Sequence, residues 1–152
     1  MNSRLIGVGL LAVLLLGAPS WVLAVDYEKA ARDQFATLNA GMAKSDMDKA
    51  ASFFAEDGLL IHPGAGEVKG RTGFRNLLAG FDKDWKDMKW TIMWLTVQGN
   101  KAAMQFDWEG TQKSSGKHVL MHCALIEEID SNGKRKWSRE FFDTGAFSKQ
   151  LE

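Results

Sequence analysis

The chain has 152 residues, and its 19 lysines and arginines balance its 19 aspartates and glutamates. A neutral chain without a basic block gives no electrostatic reason to bind nucleic acid, so we expect no nucleic-acid partner. Cys123 is the only cysteine, which excludes an intrachain disulfide. We interpret Cys123 as a packing residue rather than a nucleophile.

Residues 1–24 have the pattern of a secretory signal peptide. Arg4 provides the positive charge, residues 5–18 the apolar core and residues 22–24 a small-residue cleavage site. A retained membrane anchor is the alternative, but the apolar core is shorter than the roughly 20 residues that a spanning helix needs. Cleavage after Ala24 leaves residues 25–152, enough for one domain. We therefore expect a periplasmic or secreted protein without membrane attachment after cleavage.

Apolar side chains at helical spacing predict three helices in the first half of the mature chain. A short strand over residues 59–62, stopped by Pro63, separates the second helix from the third. The predicted helix boundaries are Asp26 as the cap of the first helix, Ser45 or Asp46 and Gly58 as the ends of the second, and Thr72 as the cap of the third.

After residue 87 the period changes from about 3.6 to 2, which predicts four strands, over residues 90–98, 102–112, 118–129 and 136–143. The third of these strands is apolar on both faces, so we expect it at the centre of the sheet, covered on both sides. The predicted fold is α+β, a curved antiparallel sheet with three helices around a cone-shaped pocket. The outward residues of the central strand would leave an apolar patch that predicts a homodimer: Leu120, Ala124 and Ile126.

Two stretches, FFAEDGLLIHPGAGEVKGRTGFR over residues 53–75 and REFFDT over residues 139–144, resemble motifs of the nuclear transport factor 2-like superfamily. This cystatin-like roll is shared by ketosteroid isomerase, limonene epoxide hydrolase and the SnoaL-like polyketide cyclases. The resemblance covers nearly all of the mature chain and implies a single domain over residues 25–152. Because members include enzymes, ligand carriers and assembly domains, it implies the fold more strongly than the chemistry.

His62 falls where ketosteroid isomerases place their general-base aspartate, directly before a proline. The resemblance therefore implies that His62 is a base, since an imidazole can move a proton near neutral pH. The alternative is a hydrogen-bonded, inert residue at a strand end. Leu38 and Leu125 stand where that family has its oxyanion-stabilising tyrosine and protonated aspartic acid. Steroid isomerisation by that mechanism is not expected.

Glu140 matches the carboxylate that limonene epoxide hydrolase uses from the same motif strand. The Arg-x-Asp partners of that enzyme are replaced by Phe106 and Trp108, so Glu140 cannot complete its triad. A catalytic pair of His62 and Glu140 across the cavity is one interpretation. The other is a buried carboxylate paired with one of three arginines: Arg71, Arg75 or Arg139.

His118 and His122 do not form a metal site, because four residues along a strand span about 13 Å. The resemblance places Met121, Cys123 and Leu125 inside the cavity and turns His122 outward; with the opposite facing, His122 would replace Glu140 beside His62. No metal or organic cofactor is expected. The resemblance and the apolar pattern predict an aromatic-lined pocket formed by Leu38, Leu60, Trp90, Trp94, Met104, Phe106, Trp108, Met121, Cys123, Leu125, Ser138 and Phe142.

Two functions remain open from the sequence. The first is a cofactor-independent isomerase, dehydratase, cyclase or hydrolase that acts on a small hydrophobic molecule with His62 as its base. The second is a non-catalytic domain that binds a small hydrophobic molecule or mediates dimeric interactions in the periplasm. The missing oxyanion donors favour binding, and the position of His62 favours catalysis.

Overall fold

A computed structural model describes residues 24–152, so the predicted signal peptide lies outside the described residues except for Ala24. None of the described helices is long and apolar enough to cross a membrane. The elements in chain order are α1 (Tyr27–Met42), α2 (Met47–Ala51), β1 (Phe54–His62), β2 (Gly66–Lys69), α3 (Gly70–Asp84), β3 (Trp85–Gln98), β4 (Lys101–Gln112), β5 (His118–Ile129), β6 (Arg135–Phe141) and α4 (Thr144–Leu151).

The six strands form one sheet in the order β2-β1-β6-β5-β4-β3. Neighbouring strands are antiparallel except β1 and β6, which are parallel. The predicted α+β fold with a curved, open sheet is confirmed. The strand predicted over residues 118–129 is β5, which lies between β4 and β6 with the same bounds.

Helix α1 packs against the concave face of the sheet. The Asp26 side chain accepts a hydrogen bond from the backbone N–H of Lys29, which caps the helix as predicted. Asn39 exchanges two hydrogen bonds with the backbone of Trp90, at 2.8 and 2.9 Å, and so ties α1 to β3. The ring of Phe35 meets that of Phe106 edge-on at 5.2 Å. These contacts close one side of the cone.

The second helix is shorter than predicted. It ends at Ala51, and Phe54 and Gly58 belong to β1 instead. Phe54 is fully buried and stacks on Phe74 of α3 at 4.7 Å, while its backbone pairs with Arg135 of β6. Tertiary pairing with β6 therefore overrides the local helical pattern.

Several other boundaries differ from the prediction, and β3 begins at Trp85 rather than at Trp90. Residues 66–69 form the hairpin strand β2, and α3 begins at Gly70 rather than after Thr72. The last strand ends at Phe141, and α4, a helix that the sequence analysis missed, follows it. Asp143 caps α4 by accepting a hydrogen bond from the backbone N–H of Ala146. The eight-residue α4 is only about two turns long and contains no fully buried residue, although Phe147 and Leu151 pack against the core.

Candidate functional site

A cavity of about 470 Å³ lies between the concave face of the sheet and helices α1, α3 and α4. Pockets of this size hold small organic ligands in many proteins. Its wall is largely apolar and aromatic, and its polar side chains are few, notably His62, Arg135 and Glu140. Eight of the twelve residues predicted for the pocket lie in this wall: Leu38, Leu60, Trp90, Phe106, Trp108, Met121, Leu125 and Phe142.

The other four predicted pocket residues do not line this cavity. Met104 and Cys123 lie on the inner side of the sheet but are packed into the core, and Ser138 is fully buried. Trp94 is 56 % exposed and lies on the outer face of the sheet. A register shift between Ile92 and Trp94 inserts one extra residue, which turns Trp94 away from the face that Trp90 occupies.

His62 ends β1 inside the cavity, where it is 9 % exposed. Its Nδ1 accepts hydrogen bonds from the backbone N–H groups of Gly64 and Ala65, both at 3.1 Å. Because Nδ1 is an acceptor, the proton of the neutral ring is on Nε2. Burial lowers the pKa of His62, which favours this neutral form. The side chain is therefore arranged to donate a hydrogen bond from Nε2.

Glu140 lies next to His62 on the neighbouring strand. Ile61 pairs with Arg139 in the parallel ladder of β1 and β6, so the following residues, His62 and Glu140, point to the same side. The Glu140 carboxylate has no hydrogen-bond partner among residues 24–152 and is partly exposed within the cavity wall. Burial raises its pKa to about 7, although the positive charge of Arg135 acts in the opposite direction. Glu140 can therefore take up or release a proton near neutral pH.

The three arginines considered as partners of Glu140 are engaged elsewhere. Arg71 binds Glu56 at 2.6 Å and the carbonyl oxygen of Phe54 at 2.7 Å. Arg75 binds Asp48, and the guanidinium of Arg139 lies over the ring of Phe141. The structural pairing suggested by the sequence is therefore wrong, and Glu140 is available to a ligand.

The polar residue that the sequence analysis missed is Arg135, the first residue of β6. It is 5 % exposed and lines the cavity. Its Nε donates to Glu127 Oε2 at 2.6 Å and to Gln34 Oε1 at 3.0 Å. A sequence signal existed for the two partners. Glu127 is a polar residue at an inward-facing position of β5, and Gln34 is a polar residue on the apolar face of α1.

The remaining histidines lie on the outer face of the sheet. His122 contacts Asp107 at 2.7 Å, and His118 lies 3.6 Å from Glu109. Both imidazoles are more than half exposed. Within residues 24–152, no three His, Cys, Asp or Glu side chains come together as a candidate metal site.

The α+β cone, with its curved and unclosed six-stranded sheet, is the nuclear transport factor 2-like fold. The SnoaL-like domain family matches residues 31–137, and the chain belongs to this family. A comparison with curated proteins finds no match.

Solved structures with the same fold cover most of the chain at low sequence identity. A protein of ketosteroid isomerase-like fold from Catenulispora acidiphila, in complex with trimethylamine, is 14 % identical over 78 % of this chain and 91 % of its own, with a TM-score of 0.69. An LEH-like epoxide hydrolase of M. tuberculosis is 15 % identical over 81 % and 90 %, with a TM-score of 0.66. TerC, co-crystallised with polyporic acid, is 19 % identical over 80 % and 98 %, with a TM-score of 0.67. At these identities the likeness shows the fold alone.

Proposed function

We propose that this protein binds a small, largely apolar molecule in the cavity and transfers a proton to or from it through Glu140. The observation that carries the proposal is an unpaired carboxyl group, with a pKa of about 7, in the wall of an apolar cavity. A general base is most effective when its pKa lies near the working pH. Reactions of the isomerase, dehydratase, cyclase or hydrolase type all contain such a step, and this step draws on no metal or organic cofactor.

The two catalytic candidates have different roles in this proposal. The carboxylate of Glu140 accepts a proton from the ligand and becomes a neutral acid, which can return the proton to another atom of the ligand. His62 donates a hydrogen bond from Nε2–H to a polar group of the ligand. The base role predicted for His62 would need a free acceptor nitrogen, and Nδ1 already receives two backbone N–H groups. The geometry thus favours Glu140 as the base.

A carbon acid in heavy water provides a direct test. The mature protein, residues 25–152, is incubated with the two-ring ketone 2-tetralone, and the exchange of its α-protons for deuterium is followed by NMR. We expect exchange above the buffer rate, with a rate that rises with pH through about 7 because only the ionised carboxylate is a base. Glu140→Gln should lower the enzymatic rate by about 10² to 10⁴.

Glu128→Gln is the matched control, since Glu128 is an outer-face residue of β5 that pairs with Lys101 at 3.3 Å. Its exchange rate should equal that of the wild type. Equal rates for Glu140→Gln and the wild type would overturn the assignment of the base.

Non-catalytic binding is the second candidate function. The positions at which ketosteroid isomerases carry their oxyanion donors are Leu38 and Leu125 here, and both line the cavity as apolar side chains. A cavity that only holds a hydrophobic molecule would bind 2-tetralone without accelerating exchange. Calorimetric titration of the ketone alongside the exchange experiment separates the two functions.

The outer face of the sheet supports the proposal that the protein is a homodimer. Large apolar side chains of three strands are exposed there: Met93 and Trp94 of β3, Leu120 and Ile126 of β5, and Phe141 of β6. Burial of this patch against a second copy would remove it from water. Light scattering at micromolar concentration should give the mass of a dimer, and Ile126→Lys should give a monomer. A monomeric wild type would overturn the proposal.

We also propose that the chain is exported, on the sequence of residues 1–24 alone. N-terminal sequencing of the protein purified from an expressing bacterium should begin at Val25. A mature chain that begins at Met1 would contradict export through a cleaved signal peptide.

A further inference from the structure

The guanidinium of Arg135 is held rigidly in the cavity wall, with hydrogen-bonding capacity to spare. It lies 5.0 Å from the ring centre of Phe53 and 5.9 Å from that of Phe35. Its single Nε–H is shared between Glu127 and Gln34, and no described residue accepts a hydrogen bond from either terminal nitrogen. A planar fork fixed in this way is ready to receive an acceptor atom.

Three neighbouring groups show the same lack of partners. Within residues 24–152, Gln34 Nε2, Glu127 Oε1 and Ser138 Oγ are buried and form no hydrogen bond, and neither does Arg135 Nη2. Buried polar groups in folded proteins are nearly always paired. Of these four residues only Arg135 lines the cavity, so Arg135 is the one that a group from outside the chain could reach. Ser138 belongs to this region because it pairs with Glu127 across the ladder of β5 and β6.

The charge balance defines the kind of group. The carboxylate of Glu127 already compensates the charge of Arg135 across a contact of 2.6 Å, and both side chains are almost fully buried. A ligand carboxylate would add a second negative charge to this buried pair, with Glu140 in the same cavity wall. A neutral oxygen acceptor would satisfy the free N–H groups without adding charge.

The position of Arg135 distinguishes this contact from the proton-transfer site. Arg135 begins β6 and Glu140 lies close to its end, so roughly 15 Å of strand separates their backbones. No ion pair joins these two described side chains, although both reach the cavity. A ligand held at Arg135 can therefore extend towards Glu140.

We propose that Arg135 forms a second binding site in the cavity wall for a neutral carbonyl oxygen of the ligand, such as that of a ketone, ester or amide. The inference rests on the proposed function only in that the cavity must bind a ligand. The inference adds the chemical class of the ligand, which the apolar wall alone would not determine.

Three ligands of nearly the same shape test this inference: 2-acetylnaphthalene, 2-ethylnaphthalene and 2-naphthoate. Their dissociation constants are measured by fluorescence titration for the wild type, Arg135→Lys and Arg139→Lys. Arg135→Lys keeps the charge that Glu127 needs but removes the terminal fork, and Arg139→Lys changes an exposed arginine of the same strand. The preference of the wild type for the acetyl over the ethyl compound should fall by about tenfold or more in Arg135→Lys, since a hydrogen bond to a charged donor is lost. It should be unchanged in Arg139→Lys.

An infrared measurement on the wild-type protein gives a result that does not depend on the folding of a variant. The carbonyl stretch of bound 2-acetylnaphthalene should lie at lower frequency than that of the same ketone in hexane. A frequency equal to the hexane value would overturn the inference. So would an unchanged preference in a folded Arg135→Lys, or tighter binding of 2-naphthoate than of the ketone.

These results are distinguishable from a failure of the proposed function. If the ketone is preferred through Arg135 but 2-tetralone exchange does not depend on Glu140, the carbonyl site stands and the proton-transfer assignment falls. If none of the three naphthalenes binds, ligand binding by the cavity and the carbonyl site are both overturned.

Discussion

Glu140→Gln replaces a partly buried carboxylic acid with a neutral amide of similar shape, and its effect on stability should depend on pH. Burial raises the pKa of Glu140 from its ordinary value of 4.5 to about 7 in the folded protein. Between these two values the folded state holds a proton that the unfolded state has released, so a rise in pH over this window destabilises the fold. Each pKa unit corresponds to about 1.36 kcal/mol, and the full window therefore costs about 3 kcal/mol above pH 7.

The variant should remove this cost, because glutamine carries no charge at any pH. At pH 5 the variant should be more stable by less than about 1 kcal/mol, because Glu140 is then still protonated in the folded state while the unfolded state has already released most of this proton. At about pH 8 the variant should be more stable by about 2 to 3 kcal/mol, the lower value applying if cavity water solvates the carboxylate. The free energy of unfolding is measured by urea titration at both pH values, with Glu128→Gln as the exposed control.

The comparison at each pH isolates Glu140 from the other buried groups. His62 has a lowered pKa, so it makes the fold more stable as the pH rises, whereas Glu127, whose pKa is raised, acts in the same direction as Glu140. Both residues are present in the wild type and in the variant, so their contributions cancel when the two free energies of unfolding are subtracted. A difference that is the same at pH 5 and pH 8, or a variant that is less stable at pH 8, would refute the reasoning.

Three further perturbations follow from individual contacts. His62→Ala should lower the free energy of unfolding by about 1 to 2 kcal/mol, because two backbone N–H groups lose their acceptor, while His118→Ala should leave the melting temperature unchanged. Burial raises the pKa of the Cys123 thiol to about 12, so iodoacetamide at neutral pH should alkylate the unfolded but not the native protein, as read by mass spectrometry. Arg135→Ala should cost about 3 to 5 kcal/mol in urea titration, because the Glu127 carboxylate is left buried without its partner, and the double variant Arg135→Met with Glu127→Leu should recover most of that loss. Labelling of native Cys123, a stable His62→Ala or an unaltered Arg135→Ala would each contradict the corresponding contact.

The order of the main elements was predictable because it depends on local periodicity. The change of period close to residue 87 marks the change from helices to the meander, and β5, which is apolar on both faces, lies inside the sheet between β4 and β6 as predicted. The short α2 could not be predicted in the same way. The helical pattern of apolar residues continues from Met47 to Phe54. Only the pairing of Phe54 with β6 assigns Phe54 to a strand.

The site was predictable where strand alternation is regular. Phe106, Trp108 and Leu125 line the cavity as period 2 requires. Trp94 does not, since the extra residue between Ile92 and Trp94 reverses the facing of every later side chain in β3. Two apolar residues in succession, Met93 and Trp94, leave no mark of a bulge, because either could point inward.

Arg135 shows most clearly what the sequence withholds. It lies between Lys134 and Lys136, and a run of three cations after a turn indicates a solvated surface. The polar residues on buried faces, Gln34 and Glu127, do demand a partner, but they do not say which cation meets them. The register shift between Glu128 and Ile129 determines which cation turns inward, because this shift places Arg135 opposite Ile129 and Trp137 opposite Glu128.

The two flanking lysines do not line the cavity. Lys134 reaches the carbonyl oxygen of Ser52 at 2.9 Å, and Lys136 binds Asp57 at the surface. Of these three cations only Arg135 turns into the cavity. Its Nε pairs with Glu127, and an arginine, unlike a lysine, still has two terminal nitrogens after such a pairing. The inward facing of Arg135 therefore depends on a single extra residue in the β5–β6 ladder, which sequence periodicity alone does not reveal.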